Sequence, residues 1–351
     1  MSKKQLLGIF VAVAAIAAFV KFKQSQAEQL NYKGIKYYQV YSLDKPDTLF
    51  FCNERVPVDL SHVEENFGKE IYRYNYLRRK TNIIVKRVNY WFPIIEKILV
   101  QHGVPEDFKY LAVVESGLSN AISPKGAAGF WQFVPSTAQS MGLIVNDEID
   151  ERYDPIKATH AACKYLKRAH KQLGNWTNVA AAYNMGISGI QRQLQVQRKK
   201  TYYNLKLNKE TGQYVYRIIA LKEIIENQQK YGFNTSKIGF PPHKKVTVKE
   251  TIKNLDVFAK SHHITLDELK EYNPWLVGKS LKVEGKSFVL KIPLESKKTI
   301  KEQSNETVVL DSVKPTRFIK DTIKEAVEKA QQAEKSELYL KKVKTDTSEG
   351  S

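Results

Sequence analysis

Apolar positions around residues 105–117 recur at helical spacing. Phe108, Leu111, Ala112 and Glu115 fall at i, i+3, i+4 and i+7, so three apolar side chains and one carboxyl share a helix face. Pro105 opens that helix and Ser116-Gly117 predicts its end. A second periodic run, Ile156, Thr159, Cys163, Leu166, Ala169 and Leu173, predicts another helix. Asp154 is its N-cap, Pro155 its first helical residue, and Gly174 its stop. Residues 54–92 read as amphipathic and helical throughout. Near residue 246 the pattern changes: Val246-Thr247-Val248, two short helical stretches over 255–262 and 264–272, an Asn273-Pro274 turn and an apolar run over 287–292. That order predicts strand, helix, helix, turn, strand. The fold expected is mainly α with a small βααβ module behind it.

Organisation follows from these shifts. Residues 1–27 read as an export signal or membrane anchor, with Lys3 and Lys4 ahead of a fifteen-residue apolar run over 6–20 and small residues Ser25 and Ala27 near a cut site. That run is shorter than the roughly 20 residues a spanning helix needs, so cleavage and retention both stay open. Residues 28–92 form an N-terminal extension, 93–235 the main helical domain and 244–293 the βααβ module, with Phe240-Pro241-Pro242 in the linker. Residues 294–351 are Lys-, Glu-, Thr- and Ser-rich, which predicts disorder or a surface helix.

Hydrophobic residues make up 42% of the 351, enough for a packed core. The net charge of +19 suits a polyanionic partner such as cell-wall polymer or an acidic membrane surface. No zinc-finger, helix-turn-helix or RNA-recognition signature accompanies it, so nucleic acid is not expected. The two cysteines, Cys52 and Cys163, form no Cys-x-x-Cys pair, and His262-His263 are adjacent rather than on one helix face. No metal site or cofactor is expected. Cys163 lies on the apolar helix stripe and reads as a buried hydrophobe, with a Cys52–Cys163 disulfide as the alternative.

Chemistry concentrates around Glu115. A carboxyl on an apolar face at a helix C-terminus meets desolvation and the negative end of the helix dipole, and both disfavour its ionisation. A carboxyl still protonated near neutrality is what proton donation to a glycosidic oxygen requires. Most glycosidases use two carboxyls, yet no second acid occurs between Glu115 and Asp147. Residues 123–129, Ser-Pro-Lys-Gly-Ala-Ala-Gly, suit a loop that approaches a ligand closely, and Trp131-Gln132-Phe133 follows it. Gln132 offers a donor and an acceptor for acetamido or hydroxyl groups; Trp131 and Phe133 read equally as cleft wall or as core. Further on come Ala182-Tyr183-Asn184-Met185-Gly186 and Glu210-Thr211-Gly212-Gln213-Tyr214-Val215, where Thr211 can cap a helix. Asp150-Glu151-Arg152-Tyr153-Asp154-Pro155 reads as structural.

These four motifs, in this order and at these gaps, resemble the lysozyme-like domain of soluble and membrane-bound lytic transglycosylases. The resemblance implies a helical lysozyme-like catalytic domain acting on peptidoglycan glycan strands. It implies that Glu115 donates a proton to the bond between N-acetylmuramic acid and N-acetylglucosamine, then takes the proton of the sugar's own C6 hydroxyl, leaving a 1,6-anhydro end. It further implies substrate-side roles for Ser123, through a hydrogen bond to the catalytic carboxyl, and for Gln132, Tyr183, Glu210 and Tyr214. Residues 246–293 resemble a LysM module, although Lys249-Glu250-Thr251 stands where that module carries Gly-Asp-Thr; sugar binding and a structural remnant both remain open. A hydrolytic muramidase on the same fold and a non-catalytic wall-binding protein are the alternative functions. A monomer in the periplasm or cell envelope is expected.

Overall fold

The structure, a computed structural model, describes residues 46–233 and 242–294. Residues 1–45, 234–241 and 295–351 lie outside the described residues, and with them the expected signal or anchor and the charged tail. Among the described residues no helix is long and apolar enough to cross a membrane.

The chain enters through a small antiparallel hairpin, β1 (Leu49–Phe51) and β2 (Glu54–Val56), with Leu49 opposite Val56. Its two turn residues, Cys52 and Asn53, both have positive φ, as a two-residue hairpin of matching twist demands. The helical reading of residues 54–92 is therefore corrected at its start. The alternation Leu49, Phe51 and Val56 is buried, and only at Ser61 does a helical period begin. Helix α1 (Ser61–Tyr76) and helix α2 (Arg78–Gln101) follow. Helix α2 continues through Pro93. Phe92, Ile95, Ile98 and Leu99 are all buried; that burial outweighs the hydrogen bond a proline removes from a helix interior.

Helix α3 (Phe108–Ser116), α4 (Pro135–Ser140), α5 (Pro155–Leu173), α6 (Trp176–Met185), α7 (Ile187–Val196) and α8 (Lys209–Glu226) complete the helical body. Local signals explain their ends. Asp154 accepts from the Ile156 and Lys157 amides ahead of α5, and Gly174 closes that helix in the left-handed conformation. Gly117 ends α3 the same way. Helix α8 is capped by Asn208, whose side chain accepts from the Thr211 amide, so Asn208 takes the capping role expected of Thr211. Helix α8 is buried along most of its length and packs on α1, α3 and α6.

The last element group is β3 (His243–Val248), α9 (Leu255–Ser261), α10 (Leu266–Tyr272) and β4 (Phe288–Pro293), the βααβ order read from the sequence. Strands β3 and β4 pair antiparallel, with Val246 opposite Leu290. This module has its own core of Leu255, Leu269, Leu281, Leu290 and Ile292, and one residue from the helical body, Ile149, is part of it.

Cys52 and Cys163 are buried and both free, so the disulfide alternative is not realised. Cys163 sits at 0% exposure, as its stripe position predicts. Ile156, at the head of the same stripe, is instead exposed.

Candidate functional site

Helix α3 delivers Glu115. Phe108, Leu111 and Ala112 on its face are fully buried in the main core, which fixes the roll of the helix and turns the carboxyl into the protein. Beyond it the chain turns out through Gly117 and Leu118, both with positive φ, and Ser116 Oγ donates to the Phe130 carbonyl at 2.9 Å. That bond ties the end of the Glu115 helix to the end of the glycine loop.

The Glu115 carboxyl is raised from 4.5 to about 7. Burial is the largest cause. The hydrogen bond from Tyr214 opposes it by favouring the carboxylate, and the nearby negative charge of Glu210 adds to it. Tyr214, buried on α8, donates its hydroxyl to Glu115 Oε1. Tyr183 on α6 feels the Glu115 charge as well and donates to the Trp131 carbonyl at 2.7 Å. Burial, then the proximity of Glu115, raises both phenols well above 10. Both therefore stay protonated donors across the physiological range. Sequence reasoning identified burial of the carboxyl; the opposed effects of Tyr214 and Glu210 arise because α8 returns beside α3 almost a hundred residues later.

Glu210 and Asn184 connect two of the motifs. Asn184 Nδ2 donates to Glu210 Oε1 at 3.3 Å, and Thr211 Oγ1 donates to Asn184 Oδ1 at 2.8 Å. Glu210 is exposed, and its charge is felt at Glu115.

Ser123 and Gln132 sit on the loop. Ser123 Oγ accepts from the Ala127 amide at 3.0 Å, and among the described residues its bonds stay inside that turn rather than reaching Glu115. Gln132, itself at positive φ, donates its amide to the carbonyls of Ala121 and Gly129, both at 2.9 Å. Its donor is thus occupied in shaping the loop. Trp131 is fully buried with Nε1 donating to Thr159 Oγ1 at 2.9 Å, and Phe133 is buried too; both are core, not wall.

Two supports were not legible in the sequence. Arg152 lies in the segment read as a helix start. Its Nη1 donates to the Gly126 carbonyl at 2.7 Å and the Phe133 carbonyl at 3.0 Å, while Nε and Nη2 hold Asp150. Glu54 on β2 accepts from the Trp176 and Thr177 amides at 2.6 and 2.9 Å, placing a carboxylate at the N-terminus of the helix that carries Tyr183. Neither pairing leaves a local mark in the sequence. The Arg152 bonds to the loop span 26 and 19 residues, and the Glu54 bonds more than a hundred. No group of three or more His, Cys, Asp or Glu that could hold a metal occurs among the described residues.

Residues 92–206 match the family model for the transglycosylase SLT domain, and residues 244–296 match that for the soluble lytic transglycosylase C-terminal LysM-like domain. The first segment holds Glu115, Ser123, Gln132 and Tyr183, while Glu210 and Tyr214 stand beyond its end. The membrane-bound lytic murein transglycosylases D of Escherichia coli K12 and of Escherichia coli O6:H1 are each 28% identical over 242 residues, covering 65% of this chain and 52% of theirs. The chain thus spans about half the length of the curated relatives it matches. A solved structure of an inactive mutant of lytic transglycosylase Slt from Pseudomonas aeruginosa aligns at 20% identity over 40% of this chain and 24% of its own, with a TM-score of 0.32. By sequence, the chain carries a transglycosylase SLT domain followed by a LysM-like domain and is homologous to membrane-bound lytic murein transglycosylase D.

Proposed function

We infer that this protein is a peptidoglycan lytic transglycosylase, cleaving the β-1,4 bond between N-acetylmuramic acid and N-acetylglucosamine and leaving 1,6-anhydro ends. The observation that carries the reading is Glu115 itself: a half-buried carboxyl, protonated up to about pH 7, bonded by one phenol and adjacent to a second. As an acid it protonates the departing glycosidic oxygen. As the resulting carboxylate it removes the proton from the sugar's C6 hydroxyl, whose oxygen closes on C1. The proton given and the proton taken balance, and no water is consumed. Tyr214 donates to the carboxylate as it forms. Tyr183 holds the loop carbonyl at Trp131. Gln132 Oε1 and the Ser123 loop supply contacts to the sugar, and Glu210 lines the cleft on the α8 side. Incubation with purified peptidoglycan should release soluble fragments whose terminal sugar is lighter by one water, and an inert digest would overturn the reading.

The electrostatics give a signed test. Turnover should fall tenfold per pH unit above an apparent pKa near 7, as the acid form is lost. Tyr214→Phe removes the bond that favours the carboxylate and should move that alkaline limb to higher pH. Glu210→Gln removes the charge that disfavours it and should move the limb to lower pH. pH–rate profiles of the two variants check this, and limbs that shift in the same direction would contradict the assignment of Glu115 as the titrating acid.

The cell envelope is the compartment this substrate requires, with the N-terminal 27 residues acting as signal or anchor. Peptidoglycan is the partner, and the protein acts as a monomer.

A further inference from the structure

The LysM-like module does not hang from the helical body on its linker alone. The segment 146–150 of the body is seated in it. Ile149 is 4% exposed and belongs to the module's core, bridging to Leu276. The Glu148 carbonyl accepts from the Val277 and Gly278 amides, and its carboxylate accepts from Ser280 Oγ at 2.6 Å and the Lys282 amide at 3.1 Å. Gly278 fits so closely that an added Cβ would lie 2.8 Å from Glu148 Cα. The next residue in the series, Asp150, donates its amide to the Trp275 carbonyl at 2.9 Å. Asp150 is also the buried carboxylate that grips Arg152, and Arg152 in turn bonds the Gly126 and Phe133 carbonyls of the glycine loop. A short chain of buried polar contacts therefore runs from the module, through Asp150 and Arg152, to the loop beside Glu115.

We propose that the LysM-like module is a positioning element for the glycine loop, with Asp150 and Arg152 as the positioning residues that carry its effect. This extends the transglycosylase reading and rests on it for the kinetic part of the test. Seating residues 146–150 fixes the Asp150 backbone; Asp150 fixes the guanidinium plane; the guanidinium fixes one carbonyl in the middle of the loop, at Gly126, and one just beyond it, at Phe133. A carbohydrate module on a free tether would need none of these bonds, and the departure at Lys249-Glu250-Thr251 from the usual sugar-binding loop fits a structural duty.

The test uses the full chain carrying Gly278→Val, which forces the module off Glu148, and separately Glu148→Ala, which removes two seating bonds with less risk to folding. Two readouts are needed. On a glycan fragment too short to reach the module, kcat should drop between about tenfold and a hundredfold with KM within about twofold, since loop misplacement acts on the chemical step. Arg152→Lys, which keeps the charge but loses the fork that reaches two carbonyls and Asp150 together, should reproduce the kcat loss without unseating the module. Hydrogen exchange should be faster at the amides of Gly126, Ala128 and Gly129 in all three variants, a readout that stands whether or not the protein cuts glycan. Wild-type kcat on the short fragment in folded variants, with losses confined to long strands or to binding of intact peptidoglycan, would overturn the proposal and make the module a binding appendage. An inactive wild type with faster loop exchange in the variants would sink the transglycosylase reading and leave the positioning role standing.

Discussion

Glu115→Gln should abolish glycan cleavage, with a loss at least as large as the roughly 10²–10⁴-fold that a positioned general acid contributes. The amide keeps the size of the carboxyl and still accepts from Tyr214, so the packing of α3 on its Phe108, Leu111 and Ala112 face is untouched. What disappears is the proton. The same variant should be more stable than the wild type in alkaline solution, and the sign follows from linkage. The folded-state pKa of about 7 lies above the ordinary 4.5, so between those values the folded protein holds a proton that the unfolded chain has released. Stability from this group is complete below about pH 4.5 and is lost as pH rises through 7, because ionising a buried carboxyl is costly. Gln cannot ionise and escapes that loss. Thermal unfolding at pH 5 and pH 8 checks it: the variant's advantage should appear at pH 8 and shrink at pH 5. Measurable turnover by the variant, or an advantage confined to low pH, would remove Glu115 from the role assigned to it.

Gly129→Ala should be among the most destabilising single substitutions in the loop. Gly129 has φ +77, and a Cβ there would lie 1.8 Å from the Arg152 carbonyl oxygen and 2.6 Å from its carbon. Both are backbone atoms, and Arg152 is held from the other side by Asp150, Gly126 and Phe133. Nothing nearby is a flexible side chain that can swing away. A cost on the order of 3 kcal/mol or more is expected, from strain and displaced backbone together. Gly126→Ala is the matched comparison, since Gly126 has φ +76 but meets nothing within 4 Å. Its cost should be only the left-handed backbone penalty, about 1–2 kcal/mol. Denaturant unfolding of the pair measures the difference, and equal losses would show that the Arg152 backbone does not press on the loop.

How much of this was readable before any coordinates depends on the range of each interaction. Helix α3 and its carboxyl were legible because the i, i+3, i+4, i+7 face and the Ser116-Gly117 stop are contained in a dozen residues. The Asp154-Pro155 start of α5 and the βααβ order after residue 243 were legible for the same reason. Interactions that bring distant segments together were not. The hairpin at 49–56 has strands of three residues, too short for alternation to announce itself within an amphipathic stretch. Proline disfavours a helix interior locally, but Phe92 and Ile95 are buried and carry helix α2 through Pro93. Trp131 was ambiguous between cleft and core until Thr159, on another helix, supplied its indole with a partner. The site divides along the same line. Glu115 is singled out by its helix together with the loop that follows it, whereas the phenol that bonds it and the charge that repels it come from α8. Arg152, which links loop and module, looked like part of a helix cap.

The most direct measurement is digestion of purified peptidoglycan by the wild-type protein in heavy-oxygen water, with mass spectrometry of the released fragments. If Glu115 gives its proton to the leaving oxygen and recovers one from the C6 hydroxyl, the new ends are anhydro sugars and carry no heavy oxygen. Fragments of full reducing-end mass with one heavy oxygen incorporated per cut would mean that water closes the reaction, and the protein would be a hydrolase.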